Sequence, residues 1–209
     1  MSVDVKGAII LAQNLKVSLI HTATCIEKLG LYYDTVESIL KNAKICCKPT
    51  DVYFVNNMNK AYDFVLREID YNDCLMLIRE LNKICADDLF TQSGQLRTQN
   101  VSIGGTSWVP DIPIESVVCD EIKQINSIAD PVEKALEYFC YLTRAQLFID
   151  GNKRVAQLMT NKVLIESGVG VLSIPPYAMA ELKRRLIHYY ETGDSNELKS
   201  LLREYIERV

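Results

Sequence analysis

Histidine is scarce in this chain: His21 and His188 are the only two, and no pair of its seven cysteines has Cys-x-x-Cys spacing. Few ligands are therefore on hand for a structural zinc site. The cysteines (Cys25, Cys46, Cys47, Cys74, Cys85, Cys119 and Cys140) are scattered and odd in number, as in a reducing compartment. No window approaches the roughly 18 apolar residues of a membrane span, and the N-terminus lacks the basic, apolar and cleavage regions of a leader. Basic residues do not dominate either. With 23 Lys and Arg against 27 Asp and Glu, the net charge of -4 gives no general reason to bind nucleic acid. The basic cluster Lys183, Arg184 and Arg185 sits among acidic residues and reads as a solvated helix face. These absences favour a cytoplasmic protein with a small-molecule or protein partner, no nucleic acid and no membrane, and they leave a homodimer open.

The 209 residues are enough for one domain with a substantial core, and 48 % apolar with 24 % charged is ordinary for a globular chain. Helix punctuation recurs throughout, and few stretches alternate as strands do, so the expected class is all-α. Asp34 with Glu37, Asp130 with Glu133, and Asp194 with Glu197 each place a capping acceptor three residues before a carboxylate, which predicts three helix starts. From Asp130 and Pro131 the apolar face runs Val132, Ala135, Leu136, Phe139 and Cys140. A following helix carries Val155, Leu158, Met159 and Val163 and stops at Gly168. The exception is Thr91 to Pro113, where Gly94, Gly104, Gly105, Pro110 and Pro113 break the helical period. Val101, Ile103, Trp108 and Val109 there favour extended backbone, so the segment reads as a short hairpin or flap.

Gln146 to Arg154 (Gln-Leu-Phe-Ile-Asp-Gly-Asn-Lys-Arg) joins two of these helices and concentrates chemistry. A helix N-terminus presents unpaired N–H groups and the positive end of the dipole, a natural anion site. Gly151 permits close backbone approach, Asn152 can donate an amide hydrogen bond to a phosphoryl oxygen, and Lys153 and Arg154 add positive charge. Asp150 would repel phosphate unless a hard cation such as magnesium stood between them. The same residues also suit a plain turn with an N-cap.

Phe148 to Arg154 resembles the core motif of the Fic/Doc (Fido) family, written His-x-Phe-x-Asp/Glu-Gly-Asn-Gly/Lys-Arg-x-x-Arg. Ser93 to Arg97, Ile103-Gly-Gly and Val109-Pro110 are similar to the approach to that family's target-docking flap, and Tyr189 to Asp194 to its closing helices. Ala23 to Glu27 sits where many members carry an inhibitory Ser/Thr-x-x-x-Glu helix. The resemblance implies a Fic-like helical bundle with a short β-hairpin flap over residues 1–209, with inhibitory-like helices in 1–45, the flap in 91–113 and the core motif in 146–157.

It further implies transfer of AMP from ATP to a protein hydroxyl, or, as in the Doc branch, transfer of phosphate. Asp150 would hold Mg2+, while Gly151 and Asn152 would form the hole for the transferred phosphate. Lys153 and Arg154 would reach the phosphates, with Arg154 on the tail, and Phe148 would anchor the loop. Ile103, Gly104, Gly105 and Thr106 would dock the target, and Glu27 is the inhibitory candidate. Two positions depart from the pattern. Gln146 stands where the motif has its histidine base, and Gln157 where it has its second arginine. Glutamine cannot take a proton near neutral pH, which points to a weak or inactive transferase, or to a nucleotide-binding regulatory module without catalysis. With that arginine replaced, Glu27 is left to pair with Arg154 or with nothing.

Overall fold

The computed structural model describes residues 4–72, 74–89 and 92–209, so Thr91, where the expected flap begins, lies outside the described residues. Among the described residues ten α-helices follow one another: α1 (Val5–Asn14), α2 (Lys16–Ile26), α3 (Tyr33–Leu40), α4 (Pro49–Arg67), α5 (Cys74–Ala86), α6 (Glu115–Asn126), α7 (Pro131–Ala145), α8 (Asn152–Glu166), α9 (Met179–Thr192) and α10 (Asn196–Glu204). Among the described residues the one sheet is a two-stranded antiparallel ladder, β1 (Gly170–Leu172) against β2 (Ile206–Arg208). The all-α expectation holds. No single helix among the described residues is long and apolar enough to cross a membrane.

Helix α8 is the axis of the molecule. It packs on α7, α5, α4, α1 and β1, and almost every residue from Asn152 to Ile165 is buried. Burial on all sides explains why its apolar periodicity is weak, since a core helix has no solvent face to be polar. Most of its polar groups are matched internally instead. Asn161 donates to the Tyr62 hydroxyl and to the Leu172 carbonyl and accepts from the Leu172 N–H at 2.6 Å, which ties α8 to α4 and β1. Gln157 donates to the Leu19 carbonyl at 2.8 Å and so pins α2 against α8. Gly168, with φ +62°, ends the helix region as its sequence position implied.

Two of the three predicted starts shift in detail. Asp130 caps α7 as expected, accepting from the Glu133 N–H at 2.7 Å, with Pro131 in the first turn. Asp34 does not cap α3; Tyr32 is the extended residue that precedes the helix, and Asp34 lies in its first turn, still near the positive end of the dipole. Asp194 comes one residue before the cap of α10 and accepts from Asn196 N–H at 2.9 Å, a local turn that leads into the helix.

The flap departs from expectation. Residues 101–113 form neither helix nor strand around a turn at Gly104 and Gly105, and no ladder joins the two arms. Pro110 and Pro113 have no N–H to offer a ladder. The acceptors at the base of the flap are claimed by Arg97, whose buried guanidinium donates to the carbonyls of Gln146 (2.5 Å), Gln99 (2.8 Å), Pro110 (3.1 Å) and Asp111 (2.5 Å). The flap is fixed to the end of α7 mainly through side chains, Arg97 and Trp108, whose indole N–H donates to the Arg144 carbonyl at 3.4 Å, rather than through a ladder of its own.

Candidate active site

The chain turns twice between α7 and α8, and both turns use left-handed backbone. Gln146 ends α7 at φ +47°, a conformation that costs a side-chain-bearing residue about 1 kcal/mol or more. Gly151 precedes α8 at φ +83°, where an added Cβ would lie 2.9 Å from Asn82 Nδ2. Asn82, on α5, supports the loop by donating to the Asp150 carbonyl at 2.8 Å and accepting from the Gly94 N–H at 2.9 Å.

Asn152 does not face outward as expected for a phosphate donor. Its Oδ1 accepts from the Phe148 N–H at 2.9 Å, and its Nδ2 donates to the Phe148 carbonyl at 2.8 Å and to Gln146 Oε1 at 3.0 Å. The side chain is committed to closing the loop, because a buried amide left unpaired would cost about 1–3 kcal/mol. Gln146 is committed as well, since its Nε2 donates to the Thr143 carbonyl at 2.6 Å. Phe148 is buried in the core, as expected of the loop's anchor.

Arg154 also differs from the expectation of a phosphate contact. It is 4 % exposed and turned inward, donating to the Cys85 carbonyl at 2.7 Å, pairing with Asp150 and lying 5.2 Å from the Phe54 ring centre. Lys153 takes the opposite direction. Its ammonium meets Glu27, at the end of α2, at 3.0 Å. Glu27 thus has a partner, and that partner is Lys153 rather than Arg154.

In front of this loop lies a cavity of about 510 Å³, walled by the end of α2, the flap, the α7–α8 loop and α9. Gln146, Asp150, Asn152, Lys153 and Glu27 line it, with Ile103 and Gly104 from the flap. Gly105 and Thr106 are not part of the wall; Gly105 rests beside Ile187, and Thr106 accepts from the Trp108 N–H. Two cations that the sequence did not assign to the site join the lining: Lys28, and Lys183, which was read as part of a solvated face. Neither has an ion pair among the described residues, whereas Arg184 and Arg185 beside Lys183 pair with Glu181 on the solvated face. Lys183 was hidden inside a cluster whose other members are surface residues. Asn82 gave no signal beyond its polarity, because its partners are backbone groups distant in sequence, and Arg97 stood out only as the end of the Ser93 to Arg97 stretch.

The two histidines stay away from this centre. His21 is buried on α2, its Nε2 3.0 Å from the Leu31 carbonyl and its ring edge-on to Tyr33, and His188 lies on α9 outside the cavity lining. No group of three His, Cys, Asp or Glu among the described residues could cage a metal. Asp150 alone offers a carboxylate on the loop, 39 % exposed with Arg154 behind it, which fits an ion that arrives with phosphates and keeps several waters.

Residues 73–164, which span α5 through most of α8, match the sequence model of the Fic/DOC family. That segment is similar to the Fic/DOC family. The match holds the whole loop just described. The chain is 28 % identical over a 138-residue alignment to "Protein adenylyltransferase fic-1" of Caenorhabditis briggsae, covering 58 % of this chain, and 27 % identical to the protein of that name in Caenorhabditis elegans. In both cases the match spans about a quarter (27 %) of the relative's length. The fold extends beyond the matched segment. A Fic-domain signalling protein of Bacteroides thetaiotaomicron superposes over 93 % of this chain and 82 % of its own, with a TM-score of 0.76 at 19 % identity. C. elegans Fic-1 (residues 134–508) gives 0.75 at 23 % identity, over 90 % of this chain and 58 % of that one.

Proposed function

We propose that the cavity binds ATP with magnesium, and that the Fic domain acts as a slow adenylyltransferase toward a protein hydroxyl. The observation that carries this reading is the mouth of the cavity. There the first turn of α8, with its N–H groups free of intrahelical partners, stands with Lys28, Lys153 and Lys183 around about 510 Å³ of open space. Three lysines and a helix dipole suit a triphosphate, while Arg154 serves the scaffold behind them. Asp150 would hold magnesium, which when bound offsets the charge of the phosphates. Ile103 and Gly104 of the flap would place the acceptor segment at the cavity edge.

In the proposed reaction the acceptor oxygen bonds to the α-phosphorus, the bond from that phosphorus to the β-bridging oxygen breaks, and pyrophosphate leaves. The acceptor proton must go to water or to a phosphate oxygen. Gln146 stands where the family motif has its histidine, and it has no basic site; both ends of its amide are already used by Thr143 and Asn152. The missing general base removes about a hundred- to ten-thousand-fold of rate, so binding is the larger part of the activity. That commitment of Gln146 favours one second reading, a nucleotide-binding regulatory module without turnover.

Calorimetric titration with ATP and magnesium tests the common core of both readings. Binding is expected to weaken by about tenfold in Lys183→Ala, the loss of one charge-assisted contact. Absence of binding in both the wild type and Glu27→Gln would sink the proposal. ATP labelled at the α or the γ phosphate then separates adenylyl transfer from phosphotransfer and from binding alone.

A further inference from the structure

A second hollow, of about 370 Å³, opens between α2, the segment that follows β1, and β2, and it shares no lining residue with the nucleotide cavity. Its volume falls near the lower end of the roughly 300–1,000 Å³ of small-ligand sites. Its walls are aromatic. Tyr33 stands edge-on to His21 with ring centres 5.8 Å apart, and Tyr177 meets Tyr205 at 6.3 Å and 69°. In an edge-to-face pair each partner covers one face of one ring only, so other faces remain for a ligand. The walls are also fixed. Thr22 Oγ1 donates to the Ile174 carbonyl at 2.9 Å and the Ser173 N–H to the Tyr205 carbonyl at 3.0 Å, while Pro175 and Pro176 stiffen the segment that carries Tyr177. Tyr177 is 81 % exposed, so its ring adds little to the core and is free to meet a ligand.

The lining holds a carboxylate and neither Lys nor Arg. Glu207, exposed on β2, supplies that carboxylate and makes no ion pair among the described residues. The cations around the hollow are turned away or engaged. Arg208 follows Glu207 on the strand and so lies on the opposite face of the ladder. Arg185, whose charge acts on Tyr205, pairs with Glu181 and donates to the Glu197 carbonyl at 2.6 Å, and Lys16 on α2 is held by Asp63 at 2.7 Å. His21 is the one lining residue that could carry positive charge, and its Nε2 N–H donates to the Leu31 carbonyl at 3.0 Å, which leaves Nδ1 bare in the neutral ring. Tyrosine faces and a lone carboxylate attract a cation, and apolar ring surface rewards one that is itself clothed in methyl groups. An unmethylated ammonium is a compact, strongly hydrated charge and gains less from such walls.

We propose that this hollow binds a methylated ammonium group, carried either by a small free amine or by a methylated lysine side chain. Tyr33, Tyr177 and Tyr205 would surround the methyl groups, and Glu207 would offset the charge. The site does not depend on nucleotide binding or transfer, and it stands even if the larger cavity binds no nucleotide.

The probes are tetramethylammonium and the peptide acetyl-Gly-trimethyllysine-Gly-amide, with a neutral control peptide in which a tert-butyl carbon replaces the quaternary nitrogen. Each is titrated with the full chain and followed by proton NMR at about pH 8, where an ordinary imidazole is neutral. A saturable upfield shift of the N-methyl signal is expected, because the ring faces shield what lies over them. The cationic peptide should bind about tenfold more tightly than its neutral copy. Tyr177→Ala, a change at an exposed position, should weaken binding by about tenfold, and Tyr177→Phe, which keeps the ring, should stay within a factor of about two. Glu207→Gln should weaken it about two- to fivefold, as for an exposed charge pair. A peptide that binds about tenfold more tightly than tetramethylammonium makes methylated lysine the source, and one of similar or lower affinity makes it a free amine. Three results would each overturn the proposal: no saturable shift with either cation up to ~10 mM, equal affinity for the cationic and neutral peptides, or unchanged affinity in Tyr177→Ala.

Discussion

Glu27 and Lys153, 126 residues apart, meet at 3.0 Å across the mouth of the cavity, one at the end of α2 and the other in the first turn of α8. The pair is partly exposed, with side-chain exposures of 32 % for Lys153 and 20 % for Glu27, so solvent screens it and its strength is about 0.5–1 kcal/mol. While it holds, Lys153 is partly neutralised and the end of α2 closes one side of the cavity. Glu27→Gln should therefore tighten ATP binding about two- to fivefold, the same free energy expressed as affinity. Calorimetry on the two proteins decides this, and equal or weaker binding in the variant would show that the pair only positions α2.

Arg154 should behave as a structural residue. Removing its guanidinium leaves the Cys85 carbonyl and the Asp150 carboxylate without a buried partner and uncovers the Phe54 ring. Breaking such a pair costs about 3 kcal/mol, which lowers the melting temperature of a chain this size by about 6–12 °C. Arg154→Ala is thus expected to melt earlier by that margin. A variant that melts like the wild type but loses ATP binding would instead place Arg154 on the ligand.

The helical class, the α7 cap and the loop between α7 and α8 were legible because each is written in local residues. Asp130 and Pro131 announce a helix start wherever they occur together, and the Gly151-Asn152 turn looks the same in isolation as in the fold. The direction of each side chain was not legible. Lys153 and Arg154 are adjacent and alike in charge, yet one points to the cavity and the other into the core. What separates them is the Cys85 carbonyl on α5 and Glu27 on α2, both distant in sequence. The flap failed for a related reason. Its residues favour extended backbone, but Arg97 takes the carbonyls that a hairpin ladder needs.

Restoring a base at Gln146 should raise transfer more than binding. In Gln146→His an imidazole would replace an amide that bonds Thr143 and Asn152, at a left-handed position that histidine tolerates better than most residues. If the rest of the site is competent, labelled AMP should appear on acceptor protein about a hundredfold faster or more, with ATP affinity within a factor of about three. A variant that binds ATP as before without gaining transfer would shift the conclusion to the regulatory reading.

Buried thiols set the alkaline limit of stability. Burial pushes the Cys85 thiol, beside the α8 arginine, up to about 12, and the Cys140 thiol on α7 also up to about 12, from an ordinary value of 9.0. A raised value means that the folded protein keeps these protons after the unfolded chain has released them. Their contribution to stability is therefore complete below about pH 9 and declines as pH rises from 9 toward 12, by up to about 1.4 kcal/mol per unit for each thiol. The buried Tyr62 hydroxyl, also raised by burial, adds to the same slope from pH 10 upward. Melting temperature should be flat between pH 7 and 8.5 and fall progressively above pH 9. Cys85→Ala should start lower, because it leaves a cavity, but lose less between pH 9 and 10.5. Parallel curves for the two proteins would mean that the Cys85 thiol reaches solvent and ionises in the folded state.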